Sequence, residues 1–283
     1  MVLALARLLA LLPLSVLHRL GALCGRLVYL AAPRYRLCLA SNLRAAGYSE
    51  PVLLRQAVAE AGKSLLELPA IWLRPHASVA SWVVQVSGWE LVETAQARRR
   101  GIIFLTPHLG CFEIAAQYYA YRAPGGMPLT ALYRPPKNKA MEPVMLAGRD
   151  RPNLRLASTD LRGVRALRQA LARGEAIGIL PDQAPGLGEG EWAAFFGRPA
   201  YTMSLAGRLA ANSGAQTILA YAERLPRGRG YHLHLQPMPA ALAGESAART
   251  LNRALEGLIR LCPGQYGWGY NRYKVPAGAQ APE

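Results

Sequence analysis

The chain has 283 residues, 52% of them hydrophobic and 18% charged, which excludes a disordered protein and is enough for one large domain or two small ones. Its 33 Lys and Arg stand against 17 Asp and Glu, and the net charge of +16 calls for an anionic partner: nucleic acid, an anionic membrane or an acidic protein. The four cysteines, Cys24, Cys38, Cys111 and Cys262, have no zinc or redox spacing, so neither a metal nor a cofactor is expected and a reducing compartment is.

Residues 1–35 read as a hydrophobic, membrane-anchoring segment. Met1 to Ala32 is almost all apolar, interrupted by Arg7, Ser15, His18, Arg19 and Arg26 and kinked at Pro13. The longest unbroken apolar run is short of the ~20 residues of a simple span, and the pattern of a removed signal peptide is missing. A hydrophobic hairpin or an oblique helix with snorkelling arginines fits. Arg34, Arg36 and Arg44 continue it with the positive charge of a cytoplasmic side. The competing reading is a buried first helix of a soluble bundle.

Glu50 to Leu73 reads as one or two amphipathic helices, interrupted at Pro69. Trp82–Ser87 alternates like a short strand, and Leu91–Arg100 reads as a helix ending in three arginines, as suits its C-terminus. From Gly101 the pattern alternates. Strands are expected at Ile102–Thr106, Leu129–Tyr133, Leu154–Ala157, Ile177–Leu180, Thr217–Ala222 and His232–Gln236. Helices are expected at Phe112–Tyr121, Lys139–Arg149, Leu161–Arg173 and Met203–Ser213, with a last one from Ser246 to Leu261. Strands joined by helical crossovers imply an α/β fold, a mixed or mostly parallel sheet with flanking helices. The Pro/Ala/Gly-rich residues 276–283 read as a flexible tail.

The strongest chemical signal is Thr106-Pro-His-Leu-Gly-Cys-Phe-Glu113, a strand end running into a helix. Positions i and i+5 of one helix point about 140° apart. His108 and Glu113 can therefore pair only with His108 in the loop and Glu113 in the first helical turn, Gly110 supplying the bend. A carboxylate on one imidazole nitrogen would leave the other as a general base toward a hydroxyl. Cys111 reads as a nucleophile or, more simply, as a small apolar filler. Arg134 leaves a strand beside two prolines, with Lys137, Asn138 and Lys139 following, and this is either a phosphate or oxyanion fork or an ordinary basic loop. Asp182 and Gln183 follow another strand and would share His108's edge if the strands are parallel. Pro185–Gly190 lacks the partners of a phosphate loop and reads as a flap, and Thr202 reads as a helix N-cap. His232 and His234 face one side of a strand, but no third ligand is evident and no metal site is expected. Gln265–Lys274, rich in Trp, Tyr and basic residues, could stack on bases, rest at a membrane interface or pack the C-terminus.

Five blocks carry a resemblance: Thr106–Glu113, Tyr133-Arg-Pro-Pro-Lys-Asn138, Leu180-Pro-Asp-Gln183, Phe195-Phe-Gly-Arg-Pro-Ala200, and Gln265-x-x-Trp-Gly-Tyr-Asn-Arg-Tyr-Lys274. In this order they resemble the lipid A biosynthesis late acyltransferases, relatives of the H-x4-D/E glycerolipid acyltransferases. The resemblance implies a glycerolipid-acyltransferase-like domain at 36–275 on the cytoplasmic face of the cell inner membrane. That domain would move a fatty acyl chain from acyl carrier protein to a hydroxyl of an anionic lipid A precursor, without a cofactor or nucleic acid. It makes His108 and Glu113 catalytic and gives Arg134, Asn138, Asp182 and Gln183 to substrate. Tyr270-Asn271 replaces the His-Arg of many members. The alternatives are an acyltransferase for a lysophospholipid or amino-lipid, and a non-catalytic basic protein of the membrane surface.

Overall fold

The computed structural model describes residues 2–123, 126–133 and 142–280. Six helices come first: α1 (Val2–Leu11), α2 (Leu14–Ala31), α3 (Pro33–Ala45), α4 (Pro51–Leu66), α5 (Leu68–Leu73) and α6 (His76–Ala80). The alternating part runs β1 (Val83–Ser87), α7 (Trp89–Ala97), β2 (Ile102–Leu105), α8 (Phe112–Arg122), β3 (Leu129–Tyr133), α9 (Glu142–Arg149), β4 (Leu154–Ser158), α10 (Leu161–Ala172) and β5 (Ala176–Ile179). A hairpin, β6 (Gly190–Phe195) and β7 (Arg198–Met203), precedes α11 (Leu205–Ser213), β8 (Gln216–Arg224), β9 (Tyr231–Pro237) and α12 (Ala247–Leu261).

Among the described residues, seven strands form one sheet in the order β1-β9-β8-β2-β5-β3-β4. Neighbours are parallel except the antiparallel pair β8–β9, so the sheet is mixed. All four residues of β2 are buried, because helices cover both faces of the sheet at its centre and an all-apolar strand suits that position. Val58 of α4, Leu167 of α10 and Leu255 of α12 pack on one face. Ile71 and Trp72 of α5, Val92 of α7 and Ile114 of α8 pack on the other. α10 starts at Asp160, whose carboxylate accepts from Gly163 N at 2.9 Å, and α12 starts at Ser246, whose hydroxyl accepts from Arg249 N at 3.2 Å.

The N-terminal segment is half docked and half bare. Gly21 and Gly25 of α2 meet Gly62 of α4 so closely that a Cβ at Gly21 would lie 2.7 Å from the Lys63 Cα. Small residues permit such backbone contact between helices. Leu14, Leu17 and His18 turn inward, whereas Leu20, Leu23, Leu27 and Leu30 of α2 and Leu3, Leu5, Leu8 and Leu11 of α1 remain exposed. By length and composition α2 is apolar enough to cross a membrane, with a mean hydropathy of 1.2 over 18 residues.

Two local expectations need correction. Thr202 does not cap a helix: it lies in β7 with its hydroxyl donating to Ala200 O, and α11 begins three residues later. The β6–β7 hairpin has no counterpart among the expected strands, because its Gly and Pro content masks the alternation. Of the readings left open for the aromatic C-terminal segment, packing is the one seen, with Asn271 and Lys274 exposed. Trp268 and Tyr266 are buried, and the buried Arg272 donates to Tyr201 O at 2.7 Å and to Thr202 Oγ1 at 2.7 Å.

Candidate active site

β2 and β5 are parallel and in register, Leu105 opposite Ile179. Both chains leave the sheet at the same edge, the place where ligands of open α/β sheets collect. Thr106 N donates to Ile179 O at 3.0 Å and carries the pairing one step further. His108 and Asp182 then face each other.

Asp182 holds His108 twice. One carboxylate oxygen accepts from His108 N at 2.9 Å, and the other lies 2.8 Å from Nδ1. Asp182 is buried, while the His108 side chain is 28% exposed. Gln183 brings its amide nitrogen to 3.3 Å from His108 Nε2. Nδ1 therefore carries the proton given to Asp182, and Nε2 is the accepting nitrogen. Burial opposes the imidazolium, but the charge and hydrogen bond of Asp182, with a smaller contribution from Glu113, outweigh it and raise the His108 pKa. Burial also opposes the Asp182 carboxylate, and His108 by charge and hydrogen bonds lowers its pKa regardless.

Glu113 does sit in the first turn of α8, but its carboxylate does not reach the imidazole. It accepts from Trp72 Nε1 at 3.2 Å and is paired with the Arg149 guanidinium through Nη2 and Nε. The expected His108–Glu113 pair is thus replaced by two separate ones, His108–Asp182 and Glu113–Arg149. The reason is tertiary: α8 points Glu113 down between α5 and α9, while the parallel β5 delivers Asp182 to Nδ1. Arg134 and Asn138 lie outside the described residues.

The loop that carries His108 is held on every side. Gly110 has φ +59, and a Cβ there would run into Ala222 O. Gly110 N donates to Gln265 O at 3.0 Å and Cys111 N to Ala222 O at 2.8 Å. These two amides are occupied and so are not open as oxyanion donors. Gly110 O accepts from Arg224 Nη2 at 2.7 Å. Arg224 is itself buried and paired with Glu67 at 2.5 Å, and Glu67 also meets His18 Nε2 at 3.1 Å and the Tyr231 hydroxyl at 2.9 Å. Burial pushes the Cys111 thiol well up, which leaves it as a packed apolar group rather than a nucleophile. Tyr270 ends beside the site, its hydroxyl accepting from Ala184 N at 3.0 Å.

Two clefts adjoin beside His108, which lines the second of them. The first is narrow and is lined mainly by apolar side chains such as Trp89, Phe104, Tyr119, Leu129 and Leu235. The second encloses about 3000 Å³, counting solvent-connected space, and includes His108, Gln183, Arg149, Arg168, Arg208 and Asn212. Phe112, Leu132, Arg149 and Leu180 line both. The Phe112 ring stands 4.9 Å from the His108 ring at the junction. Arg149, Trp72, Arg224 and Glu67 carried no local sequence signal, since each reaches the site from a distant element. Only the apolar stretch around Trp72 and the terminal arginine of the expected helix Lys139–Arg149 marked their positions.

The arrangement suits a base-assisted attack on an acyl group carried by an apolar chain. The sequence pattern of the bacterial lipid A biosynthesis acyltransferases matches residues 1–275. A lipid A biosynthesis lauroyltransferase of Escherichia coli (strain K12) is 28% identical over 93% of this chain and 87% of its own length. A lipid A biosynthesis palmitoleoyltransferase of the same organism is 31% identical over 77% of this chain and 70% of its own. A lipid A biosynthesis acyltransferase of Shigella flexneri is 31% identical over the same shares. The chain belongs to the bacterial lipid A biosynthesis acyltransferase family and is an acyltransferase.

Proposed function

We propose that the enzyme moves a fatty acyl chain from acyl carrier protein to a hydroxyl of a lipid A precursor, at the cytoplasmic face of the inner membrane. The observation that carries this reading is an arginine-bearing cleft lined by the His108 imidazole, with Gln183 at its Nε2, that joins an apolar cleft at Phe112, Leu132, Arg149 and Leu180. The apolar cleft takes the acyl chain. The larger cleft takes the anionic acceptor, whose phosphates find Arg149, Arg168 and Arg208. The exposed leucine face of α1 and α2 lies in the membrane and brings the enzyme to its lipid.

In this mechanism the acceptor displaces Gln183 from His108 Nε2, which takes the hydroxyl proton as the oxygen attacks the thioester carbon. The tetrahedral intermediate collapses with cleavage of the C–S bond, and the proton on Nε2 passes to the departing thiolate. Asp182 fixes the tautomer and stabilises the imidazolium. No acyl-enzyme is needed, because the acceptor oxygen is the nucleophile. Glu113 holds the Arg149 guanidinium where the two clefts join, a position from which it can meet developing negative charge. Arg134, Asn138 and Gln183 are assigned to substrate on the strength of the family resemblance.

The test is initial rate with carrier-bound and coenzyme A-bound acyl donors of equal chain length, with lipid A precursor in mixed micelles and products read by mass spectrometry. The carrier should be preferred, because it is acidic and the chain carries +16. Its advantage should shrink as salt shortens the Debye length below ~8 Å. Equal use of both donors with equal salt response would remove the carrier assignment, and transfer to a lysophospholipid instead would remove the acceptor assignment.

A further inference from the structure

The corner where β8, β9 and β1 meet holds a cluster that acyl transfer does not use. His232 and His234 share a face of β9, and antiparallel pairing sets Glu223 of β8 directly opposite His232. The missing third ligand thus comes from another strand, which spacing along the sequence cannot reveal. One ligand atom from each of the three side chains lies within 4.8 Å of the other two. His234 Nε2 is 3.2 Å from Glu223 Oε2. A tetrahedron built on zinc bonds of 2.0–2.1 Å has edges of about 3.3 Å, so this pair already has ligand-to-ligand spacing.

The two imidazole centroids are 3.7 Å apart, a distance at which two imidazolium cations would repel strongly. Both rings are braced from outside the cluster. Ser87 Oγ of β1 lies 2.8 Å from His232 Nε2, so a metal held by Nδ1 would leave that contact in place. Tyr221 stacks on His234 at 4.5 Å and 7°. Outer partners of this kind orient metal-binding histidines. Two imidazole nitrogens with one carboxylate oxygen suit zinc and its neighbours, whereas magnesium and calcium favour oxygen alone.

We propose that Glu223, His232 and His234 bind a transition-metal dication of the zinc type, with water completing the coordination. The ion would clip β8 to β9 at Glu223. Its two chain neighbours both hold the His108 loop, Ala222 through Cys111 N and Arg224 through Gly110 O. Occupancy would therefore stiffen the support of that loop without joining the reaction.

The experiment uses the full chain, tag-free and stripped with chelator in detergent. Zn²⁺ is titrated by calorimetry, Co²⁺ is followed by its visible absorption, and thermal unfolding is recorded with and without Zn²⁺. The expected result is one Zn²⁺ per chain in the micromolar range, a tetrahedral cobalt spectrum and a rise in Tm. In the double variant His232→Ala/His234→Ala and in Glu223→Gln, affinity should fall at least ~100-fold and the Tm response vanish, while metal-free acyl transfer persists. Ser87→Ala removes only an outer partner and should weaken binding by about 10-fold. That variant also keeps all three ligands if the double variant folds poorly. Undetectable Zn²⁺ binding by the wild type overturns the proposal. So does unchanged stoichiometry in the double variant, which would move the zinc to the cysteines or to the His18–Glu67 pair.

Discussion

Two histidine–carboxylate pairs in this molecule differ in what surrounds them. His18–Glu67 is sealed: both side chains are buried, and Glu67 is further engaged by Arg224 and Tyr231. His108–Asp182 is equally well made, but its imidazole lines an open cleft and, among the described residues, only Gln183 touches Nε2. The same chemical pair is therefore a clamp in one place and, in the proposed mechanism, a base in the other. Access and the number of competing partners make the difference, not the pair itself. The sealed cluster serves the open one, since Arg224 runs from Glu67 to Gly110 O and fixes the loop that carries His108.

The largest expected effect is on the open pair. His108→Ala should lower acyl transfer by about 10³–10⁴-fold with the Tm unchanged, the upper part of the range of general-base catalysis. A variant with near-normal turnover would end the assignment of His108 as base. Next comes the sealed pair. Arg224→Met should cost about 3–5 kcal/mol of stability, because Glu67 would keep a buried charge without its partner. Denaturant unfolding measures this, and an unchanged midpoint would show that the cluster is not a clamp.

Asp182→Asn should cost about 10²-fold in kcat/KM and should also move the pH profile. His108 must be neutral to accept a proton, and its pKa is raised chiefly by Asp182 against the pull of burial. Activity of the wild type should therefore fall as pH drops through a value above the ordinary imidazole pKa. Removing the Asp182 charge lowers that pKa, so the acid limb should shift to lower pH. Glu113→Gln should cost less, about 10-fold, with little movement of the limb, as expected for a residue that acts through Arg149. A larger limb shift in Glu113→Gln than in Asp182→Asn would restore the pairing read from the H-x4-E spacing.

The smallest effect belongs to His18→Gln, about 1.5 kcal/mol, the scale of one hydrogen bond to a charged group. Burial opposes the Glu67 charge, but Arg224 and His18 outweigh it and hold its pKa down to about 2, against 4.5 for the free side chain. A depressed carboxylate pKa contributes stability that is present above 4.5 and lost as pH falls toward about 2. In His18→Gln the depression is smaller, so stability should fall less steeply over that window. An unchanged slope would mean that Arg224 alone sets the Glu67 charge.

Much of the fold was legible in the chain. The apolar runs of β2 and β5 and the helices between them obey periodicities that local residues fix, and the leucine-rich character of α1 and α2 is a property of composition. The site was legible as positions: His108, Glu113, Asp182 and Gln183 all follow strand ends or begin a helix, where local chain geometry puts functional groups. The partners were not. Whether His108 Nδ1 meets Glu113 or Asp182 depends on the parallel register of β2 and β5 and on the tilt of α8, neither of which is written in five residues of spacing. The same holds for Arg224 reaching Gly110 from Glu67's side, for Arg272 buried under β7, and for Glu223 completing a triad with two histidines on the next strand. Each is a contact between residues distant in sequence, and its geometry exists only once the sheet has closed.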